Sequence, residues 1–313
     1  MLFLRKVVSY VPEHSTAITD LQDALEISDG EVRLLTKFLG LDRIVTADGL
    51  TTLDMLLAVG QECLAEVDRS AVRFLIHAHT LQHVAPPSLR WMDVLREKLL
   101  LDEASAFSMS HQGCVIGLNV LKAAEGLLHS EPAGAAALIL VGERGLSPVM
   151  QHIPGTSVLG DATAGLVVSL DGPGDALVGI AHRTLSEFHQ AMQMPDDLQR
   201  LYRRDYVPTV ASVMREAVHS TGRTFEDVDL VLPHNVNRYS WTSIARLLGL
   251  PLDRVYLENV PKTGHCFCSD PFMNLTTARV EGAVRPGDLV LMVSAGQGGT
   301  FTAALVQTST GED

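Results

Sequence analysis

Apolar and polar positions follow two different periodicities along this chain. Short runs of apolar and β-branched residues predict strands over 72–76, 136–141, 164–170, 228–232, 289–293 and 301–306. Between them, apolar residues at helical spacing predict helices over 51–66, 87–100, 115–129, 207–220, 238–248 and 271–284. Short strands that alternate with helices predict an α/β fold, with a mostly parallel sheet covered by helices on both faces.

No Ser/Gly-rich or low-complexity linker divides the sequence, and the least regular stretch, 183–206, is where two halves could join. A faint internal similarity fits such a division. The segments GDATAGLVVSL (160–170) and GQGGTFTAALV (296–306) each combine a Gly-rich turn with a strand of small and β-branched residues. Because two such turns can arise by chance in an α/β protein, duplication stays open on this evidence alone.

Composition narrows the class of protein. The 313 residues are 46% hydrophobic and 19% charged, which suits a large buried core. A net charge of −13 disfavours nucleic acid and anionic lipid as partners. No apolar stretch is long enough to span a membrane, and Arg5, Lys6 and Pro12 interrupt the apolar N-terminus, so we expect a soluble, cytoplasmic protein. Its four cysteines are expected to be reduced thiols.

The segment SHQGCVIGLNVLKAAEGLLHS (110–130) carries the sharpest chemical signal. Gly113 permits a tight turn, and Cys114 stands immediately before a predicted helix. The unpaired N–H groups and the positive dipole end of a helix start favour the thiolate, which is the nucleophilic form of cysteine. Cys114 is therefore a candidate nucleophile, although a lone cysteine can equally be a small buried apolar residue.

Two other segments follow buried strands. In DLVLPHNVNRYSW (229–241), a proline ends the strand and leaves His234 at its carboxyl end, the edge where open α/β sheets carry their sites. A single loop histidine is more often only solvated. In SAGQGGTF (294–301), the free N–H groups of a Gly-rich turn could hold a phosphate or an oxyanion.

The segment NVPKTGHCFCSDPFMNL (259–275) combines His265, two cysteines and Asp270. Such a set suggests zinc, but alternate residues of an extended chain point to opposite faces, and no CxxC pair completes four ligands. We therefore expect no metal, and we interpret Cys266 as a small packing residue. Asp270 precedes a proline and could either cap a helix or orient His265.

Together and in this order, these segments resemble the β-ketoacyl-acyl-carrier-protein synthase III family of the thiolase superfamily, over nearly the whole chain. VSYVPEHSTAITDL is similar to the family's N-terminal strand and loop, and FLGLDRI (38–44) is similar to its Gly-Ile-x-x-Arg segment. SHQGC matches the nucleophile turn, SVLGDATAGLVVS the Gly-Asp-Gly-Ala strand, and PHNVN (233–237) the Pro-His-Gln-Ala-Asn motif. The resemblance implies a thiolase fold, with two similar βαβαβ-type halves in a five-layered αβαβα sandwich.

The same resemblance implies how the molecule is organised. An N-terminal half, 1–172, would carry the nucleophile, and a C-terminal half, 173–313, would carry the catalytic histidines and the Gly-rich turn. Members of the family are usually homodimers, with a narrow tunnel that admits a phosphopantetheine arm to the cysteine. The resemblance implies no cofactor.

Carried over position by position, Cys114 would accept the acyl group and His234 would be the first catalytic histidine. The oxyanion hole would consist of the backbone N–H groups of Cys114 and Gln297, the second at a position where the family usually has glycine. Asp270 and Asn237 are candidate orienting residues.

One departure from the family bears on the reaction. The family's catalytic asparagine lies in a Gly-Asn-Thr-Ser segment, and the aligned stretch GHCFC has His265 at that position. In the family, histidine and asparagine donate hydrogen bonds to a malonyl thioester as it loses carbon dioxide. Two histidines beside an acyl-cysteine suit general-base activation of an alcohol or amine better than they suit enolate stabilisation.

A second departure concerns the acyl donor. The family often has a tryptophan and an arginine near 30–41 that hold the nucleotide of coenzyme A, and DGEVRLLTKFLGL has neither in register. This favours a carrier-protein thioester as the donor over a CoA thioester. An acidic protein would then need local basic residues near the tunnel mouth, for which Arg33, Lys37, Arg203 and Arg204 are candidates.

The sequence therefore predicts a ketosynthase III-like acyltransferase of secondary metabolism, related to polyketide or fatty acid biosynthesis. It would pass an acyl group from an acyl-carrier-protein or CoA thioester, through Cys114, to the hydroxyl or amine of a small molecule. The alternative is a decarboxylative condensing enzyme of the β-ketoacyl synthase III type. A second alternative, an inactive scaffold partner, is disfavoured because the cysteine, both histidines and the Gly-rich turn are present. We expect His77 and His79 at an interface or in solvent, and Met192 and Met194 in the core.

Overall fold

The computed structural model describes residues 1–86, 88–145 and 147–311. Its strands are β1 (Leu2–Tyr10), β2 (Ser15–Ala17), β3 (Arg43–Val45), β4 (Val72–Ala78), β5 (Ser105–Met109), β6 (Ala136–Glu143), β7 (His152–Ile153), β8 (Ser157–Val158), β9 (Ala162–Ser169), β10 (Asp175–Thr184), β11 (Leu230–Leu232), β12 (Leu289–Gly296) and β13 (Thr300–Gln307). Its helices are α1 (Asp29–Arg33), α2 (Thr52–Cys63), α3 (Trp91–Lys98), α4 (Ile116–Leu128), α5 (Pro148–Gln151), α6 (Asp196–His219), α7 (Arg238–Leu248), α8 (Val260–Thr263) and α9 (Asp270–Val280). Within these ranges, no helix combines the length and apolar character needed to cross a bilayer.

Every predicted strand and helix corresponds to an element of the structure, but the helix predicted over 207–220 begins eleven residues earlier, at Asp196. A proline near a predicted start is typical of the first helical turn. Here Pro208 lies inside the helix instead. The stretch 183–206 is therefore no irregular connection, because it contains the end of β10 and the first turns of α6. Residue 87, the predicted start of α3, lies outside the described residues.

A nine-stranded sheet runs through the molecule in the order β11-β12-β13-β10-β1-β9-β6-β4-β5. Among the described strands, β11–β12, β4–β5 and β4–β6 pair in parallel, and the other five neighbouring pairs are antiparallel. The prediction of a mostly parallel sheet is therefore wrong. Three residues, 297–299, join β12 to β13. Such a short connection makes a hairpin, because parallel neighbours need a crossover of about a dozen residues or more.

The strand order is repeated in the two halves of the sheet. The first half has five strands, which along the chain are β1, β4, β5, β6 and β9. Across the sheet, these strands lie in the order first, fifth, fourth, second, third. In the second half, β10, β11, β12 and β13 correspond to the first, second, fourth and fifth strands of that series, and a bridge between Val231 and Val255 marks the position of the third. The repeat supports the duplication that the Gly-rich turns suggested. The boundary between residues 172 and 173 stays a prediction.

Three apolar clusters show how the layers stack. One packs α2, through Val59, on the strands of the first half, and another packs α6, through Val213, on the strands of the second half. The third lies between them and joins Leu121 of α4 and Leu275 of α9 to strands of both halves. The layers therefore follow the order helix, sheet, helix, sheet, helix, which confirms the predicted αβαβα sandwich. The two helices of the middle layer carry the candidate site.

Candidate active site

The two helices of the middle layer begin side by side. A 3-10 turn, Gly113–Val115, leads into α4, and a second, Phe267–Ser269, leads into α9. A Cβ atom on Gly117 would lie only 2.3 Å from the backbone oxygen of Cys268, so the start of α4 is in backbone contact with the turn before α9. This contact brings Cys114 opposite the segment that carries His265.

Gly113 is required by the turn that presents Cys114. Its φ of +60° lies in the left-handed region, where residues with a Cβ atom are strained. A Cβ atom at this position would also lie 2.9 Å from Cα of Gly296 and 3.3 Å from the backbone nitrogen of Gln297. Glycine therefore allows the Gly-rich turn of the second half to pack directly on the cysteine turn of the first half.

His265 is fixed by its own backbone. Its N–H donates to the carbonyl of Val158, and its carbonyl accepts from the N–H of Gly160, both at 3.0 Å. Its side chain reaches the cysteine, with Nε2 3.2 Å from Sγ of Cys114. Both side chains are buried, since Cys114 is 9% exposed and His265 is 2% exposed.

Asp270 contacts the other nitrogen of that imidazole. Its Oδ2 lies 2.5 Å from Nδ1 of His265 and also accepts from the backbone N–H of Asn235, while its Oδ1 accepts from the N–H of Cys266 at 2.8 Å. The carboxylate is fully buried at the first residue of α9. With the carboxylate on Nδ1, Nε2 is left to face the sulfur of Cys114, so these three side chains form a continuous Cys–His–Asp series.

Charge reinforces this series. Burial alone would lower the pKa of His265, but the attraction of the Cys114 thiolate and the Asp270 carboxylate outweighs burial and raises that pKa to about 10. The contacts therefore favour the protonated, imidazolium form of His265. A cysteine paired with an imidazolium is the arrangement found at activated, nucleophilic cysteines.

His234 lies close to His265 but has a different charge state. Its burial, together with nearby His265, lowers its pKa to about 3, so its ring is neutral. The two imidazole centroids are 5.8 Å apart. Trp241 fixes the strand end by donating from its indole N–H to the carbonyl of His234 at 2.8 Å. The hydroxyl of Tyr206 lies 2.8 Å from Nε2 of His234.

A cavity of about 450 Å³ opens onto Cys114, His234 and His265. Its lining combines polar side chains with tyrosines and the two methionines. The polar lining includes Thr156, Gln199, Arg203, Asn237, Ser240 and Ser243. Met194 is buried but lines the cavity, and Met192, which we expected in the core, is 55% exposed.

The remaining candidates of the sequence lie in other surroundings. Asn237 caps α7, since its Oδ1 accepts from the N–H of Ser240, and its Nδ2 donates to the carbonyl of Thr156. Its side-chain hydrogen bonds in the described part of the chain thus go to the backbone of Thr156 and Ser240 and not to either histidine. Of the basic residues, Arg203 lines the cavity, whereas Arg204 pairs with Asp205.

The cysteines near His265 point away from it. Cys266 directs Sγ toward the carbonyl of Thr263, and Cys268 directs Sγ toward Glu143 and the carbonyl of Ala78. Burial raises the pKa of both thiols well above its usual value. Within residues 1–86, 88–145 and 147–311, no group of three His, Cys, Asp or Glu side chains is arranged to hold a metal ion. Both cysteines are therefore buried as thiols.

The expectation that His77 and His79 lie at an interface or in solvent is wrong. His77 is fully buried and His79 is 4% exposed. His77 accepts from the indole N–H of Trp91 at 3.1 Å, and its other nitrogen contacts the carbonyl of Gly142 at 3.0 Å. The sequence shows a polar side chain near a strand end but not the partners that let the sheet bury it.

Sequence reasoning missed two tyrosines of the site. Tyr202 and Tyr206 are one helical turn apart on α6, and both line the cavity beside Cys114. They lie in the stretch that was expected to be irregular. Their spacing of four residues is the signal that could have placed them on one face of a helix.

Comparisons with known proteins find relatives by sequence and by fold. A family model described as 3-oxoacyl-[acyl-carrier-protein (ACP)] synthase III C terminal matches residues 218–308. A β-ketoacyl-[acyl-carrier-protein] synthase III of Nitratidesulfovibrio vulgaris (strain DP4) is 25% identical to this chain, over 97% of this chain and 98% of that protein. The similarity therefore spans both halves of the sheet and both segments that meet at Cys114.

Solved structures share the whole fold. The acyltransferase ChlB3 superposes with a TM-score of 0.86 at 20% identity, over 99% of this chain and 98% of that chain. The 3-oxoacyl-[acyl-carrier-protein] synthase III from Aquifex aeolicus VF5 gives a TM-score of 0.80 at 21% identity, over 98% and 100%. Sequence motifs, fold and full-length similarity all agree in making the chain similar to the ketosynthase III-like family of the thiolase superfamily.

Proposed function

We propose that this protein is an acyltransferase of natural-product biosynthesis. It takes an acyl group from an acyl-carrier-protein or CoA thioester onto Cys114 and passes that group to the hydroxyl or amine of a small molecule. The observation that carries the proposal is the continuous contact from Cys114 through His265 to Asp270. A nucleophile, a base and a carboxylate that orients the base are the parts of a nucleophilic acyl-transfer site.

In the loading step, the thiolate of Cys114 attacks the carbonyl carbon of the donor thioester. The backbone N–H groups of Cys114 and Gln297 would stabilise the oxygen on which negative charge develops. The close packing of the Gln297 backbone on Gly113 supports this assignment. When the intermediate collapses, the bond to the donor sulfur breaks, and that sulfur leaves with the proton of His265.

The acyl-enzyme then has a neutral His265. With the thiolate consumed, one of the two attractions that raise the pKa of His265 is gone, so this pKa falls. Asp270 keeps the proton on Nδ1, which leaves the lone pair of Nε2 beside the acyl group. Loading therefore converts His265 from an ion-pair partner into a general base.

In the transfer step, the acceptor gives its proton to Nε2 of His265 as its oxygen or nitrogen attacks the thioester carbon. Collapse of this second intermediate breaks the bond to Sγ of Cys114 and releases an ester or an amide. The thiolate and the imidazolium form again, so the enzyme returns to its starting state. An asparagine at position 265 could donate a hydrogen bond but could not take this proton.

One observation supports a carrier-protein donor over coenzyme A. The segment 30–41 has no tryptophan and no arginine in register with those that bind the nucleotide in similar proteins. Arg203 lines the cavity and offers a positive group that suits the phosphate of either donor. A homodimeric state and a cytoplasmic location stay predictions.

A decarboxylative condensing enzyme is the second candidate. It is favoured by the name of the N. vulgaris relative, which is a β-ketoacyl-[acyl-carrier-protein] synthase III that this chain matches over 97% of its length. In such a reaction, a malonyl thioester would lose carbon dioxide, and its enolate carbon would attack the acyl group on Cys114. We rank this reaction second because His265 is paired with Cys114 and Asp270 as a base.

Intact-mass measurement tests the proposal. We expect Cys114 to gain the mass of an acyl group when the protein is incubated with acyl-carrier-protein thioesters, and Cys114→Ala to gain none. Addition of small alcohols or amines should then remove that mass without release of carbon dioxide. Stoichiometric carbon dioxide and a β-keto product with malonyl-carrier protein would contradict transfer, and an unmodified Cys114 with every donor would support a scaffold role.

A further inference from the structure

The hydroxyl of Tyr206 contacts one ring nitrogen of His234, a residue that lines the cavity. Tyr206 lies on α6, and its oxygen is 2.8 Å from Nε2 of His234. Its ring is fixed by edge-on contacts with Tyr202 and Phe301, whose centroids are 5.9 and 6.0 Å away. Burial, together with Tyr202 and Cys114, raises the pKa of the hydroxyl well above its usual value. The tyrosine therefore stays protonated and can both donate and accept.

His234 has few other partners. Its Nδ1 lies near the backbone of Val293, but the geometry there is not that of a hydrogen bond, and Nδ1 has no other partner within the described residues. A neutral imidazole has one N–H and one lone pair. If the proton is on Nδ1, Tyr206 donates to the bare Nε2, and if the proton is on Nε2, Tyr206 accepts it. In both tautomers Nε2 is already paired.

This pairing matters for one competing reaction. When a malonyl thioester loses carbon dioxide, the carbon–carbon bond to the carboxylate breaks and its electron pair moves onto the thioester as an enolate. The enolate oxygen needs N–H or O–H donors directed at it from the protein. Among the histidines that line the cavity beside Cys114, His265 is engaged with Cys114 and Asp270, so the remaining imidazole donor is Nε2 of His234 in the tautomer that carries its proton there.

We propose that Tyr206 is a positioning residue that determines reaction specificity, because its hydroxyl withholds Nε2 of His234 from an enolate oxygen. This inference rests on the proposed acyl transfer. The site then disfavours decarboxylation in two ways, since His265 acts as a base and His234 is paired with Tyr206. A malonyl group that enters the cavity keeps its carboxylate and can be handled like any other acyl group.

Carbon dioxide release tests the proposal. Wild type, His265→Asn and the double variant Tyr206→Phe/His265→Asn are incubated with malonyl-pantetheine labelled at its carboxylate, after Cys114 has been acylated. The asparagine restores one donor, and loss of the tyrosine hydroxyl frees the second. Because one oxyanion donor is typically worth about 10²–10³-fold, we expect the double variant to release label at least about 10-fold faster than His265→Asn.

Tyr202→Phe in the His265→Asn background is the matched control. It removes a hydroxyl from the same face of α6, but that hydroxyl is 3.4 Å from the carbonyl of Gly296 and does not contact His234. We expect no gain in release from it. A spectroscopic readout separates positioning from simple packing, because Tyr206→Phe should shift the ¹⁵N resonances of the His234 ring and Tyr202→Phe should not.

The outcomes are distinguishable. Equal release from His265→Asn and Tyr206→Phe/His265→Asn, or unchanged ¹⁵N resonances in Tyr206→Phe, would overturn the role of Tyr206 and leave the proposed transfer standing. Stoichiometric release from wild type would contradict the proposed transfer itself, and it would also show that Tyr206 withholds nothing.

Discussion

Asp270 and His265 are five residues apart, on either side of a 3-10 turn, and the carboxylate Oδ2 of Asp270 lies 2.5 Å from Nδ1 of His265. Both side chains are buried. The same carboxylate accepts hydrogen bonds from two backbone N–H groups, so the main chain fixes its position independently of the imidazole. In the proposed mechanism, this contact is what orients His265 as the base.

Asp270→Asn should slow acyl transfer by about 10²–10⁴-fold. The amide keeps an acceptor oxygen, but it no longer holds a proton on Nδ1 or stabilises the imidazolium, and loss of the equivalent carboxylate in a catalytic triad has a cost of this order. Single-turnover transfer from acylated Cys114 measures the effect. Asp227→Asn is the matched control, because that carboxylate lies on the surface and accepts from the backbone of Thr224. If Asp270→Asn transferred the acyl group at nearly the wild-type rate, Asp270 would only stabilise the start of α9 and would have no part in catalysis.

Gly113→Ala should damage both the fold and the site. The new methyl group would sit 2.9 Å from Cα of Gly296 on a residue with φ of +60°. Left-handed strain in a non-glycine residue has a cost of about 1–3 kcal/mol. We therefore expect a lower free energy of unfolding in urea and slower loading of Cys114.

Gly126→Ala provides the comparison for this variant. Gly126 lies in α4, and among the described residues no atom beyond the adjoining backbone of its own helix is within 4 Å of the place where its Cβ would be. Alanine is the better helix former by about 0.5–1 kcal/mol, so this variant should be more stable than wild type. If Gly113→Ala were as stable and as reactive as Gly126→Ala, the tight contact between the two turns would not matter.

The buried His77 predicts acid sensitivity. Burial, with His79 nearby, lowers the pKa of His77 to about 3, whereas an unfolded histidine has a pKa near 6.5. Between these values the unfolded state binds a proton that the folded state does not. The stability contribution of His77 is therefore complete above about pH 6.5 and is lost as the pH falls toward 3, with a slope of about 1.4 kcal/mol per pH unit.

Urea unfolding between pH 4 and 6 measures this slope. His77→Gln should lower this slope by about 1.4 kcal/mol per pH unit, which is the contribution of one proton. Trp91→Phe removes the indole N–H that donates to His77, and it should lower stability but keep the slope. An unchanged slope in His77→Gln would mean that His77 titrates alike in both states.

Much of this architecture could be predicted from the sequence because the chemistry lies at the ends of regular elements. Cys114 precedes a helix, and His234 follows a strand that ends at a proline, so each has a local signal. The role of Asp270 stayed open because a helix cap and an orienting carboxylate share one sequence signal. Only the tertiary contact between Asp270 and His265 separates them.

Other features lacked a local signal. Tyr206 precedes Pro208 in a helix whose exposed face is rich in charge, so its apolar periodicity is weak and the sequence predicts no helix over its first turns. Whether a strand is parallel or antiparallel depends on the neighbour with which it pairs. Central strands of both kinds have the same apolar runs, so the sequence alone does not distinguish them. The burial of His77 depends on Trp91, which lies on another element.

The most direct test of the account is single-turnover transfer from acylated Cys114 in wild type and in His265→Asn. Both proteins are loaded with the same acyl group, separated from the donor and mixed with a panel of small alcohols and amines while the mass on Cys114 is followed. General-base catalysis typically contributes about 10²–10⁴-fold, so His265→Asn should keep its acyl group that much longer than wild type. If His265→Asn discharges its acyl group to the same acceptors at the wild-type rate, His265 is not the base and the account is contradicted.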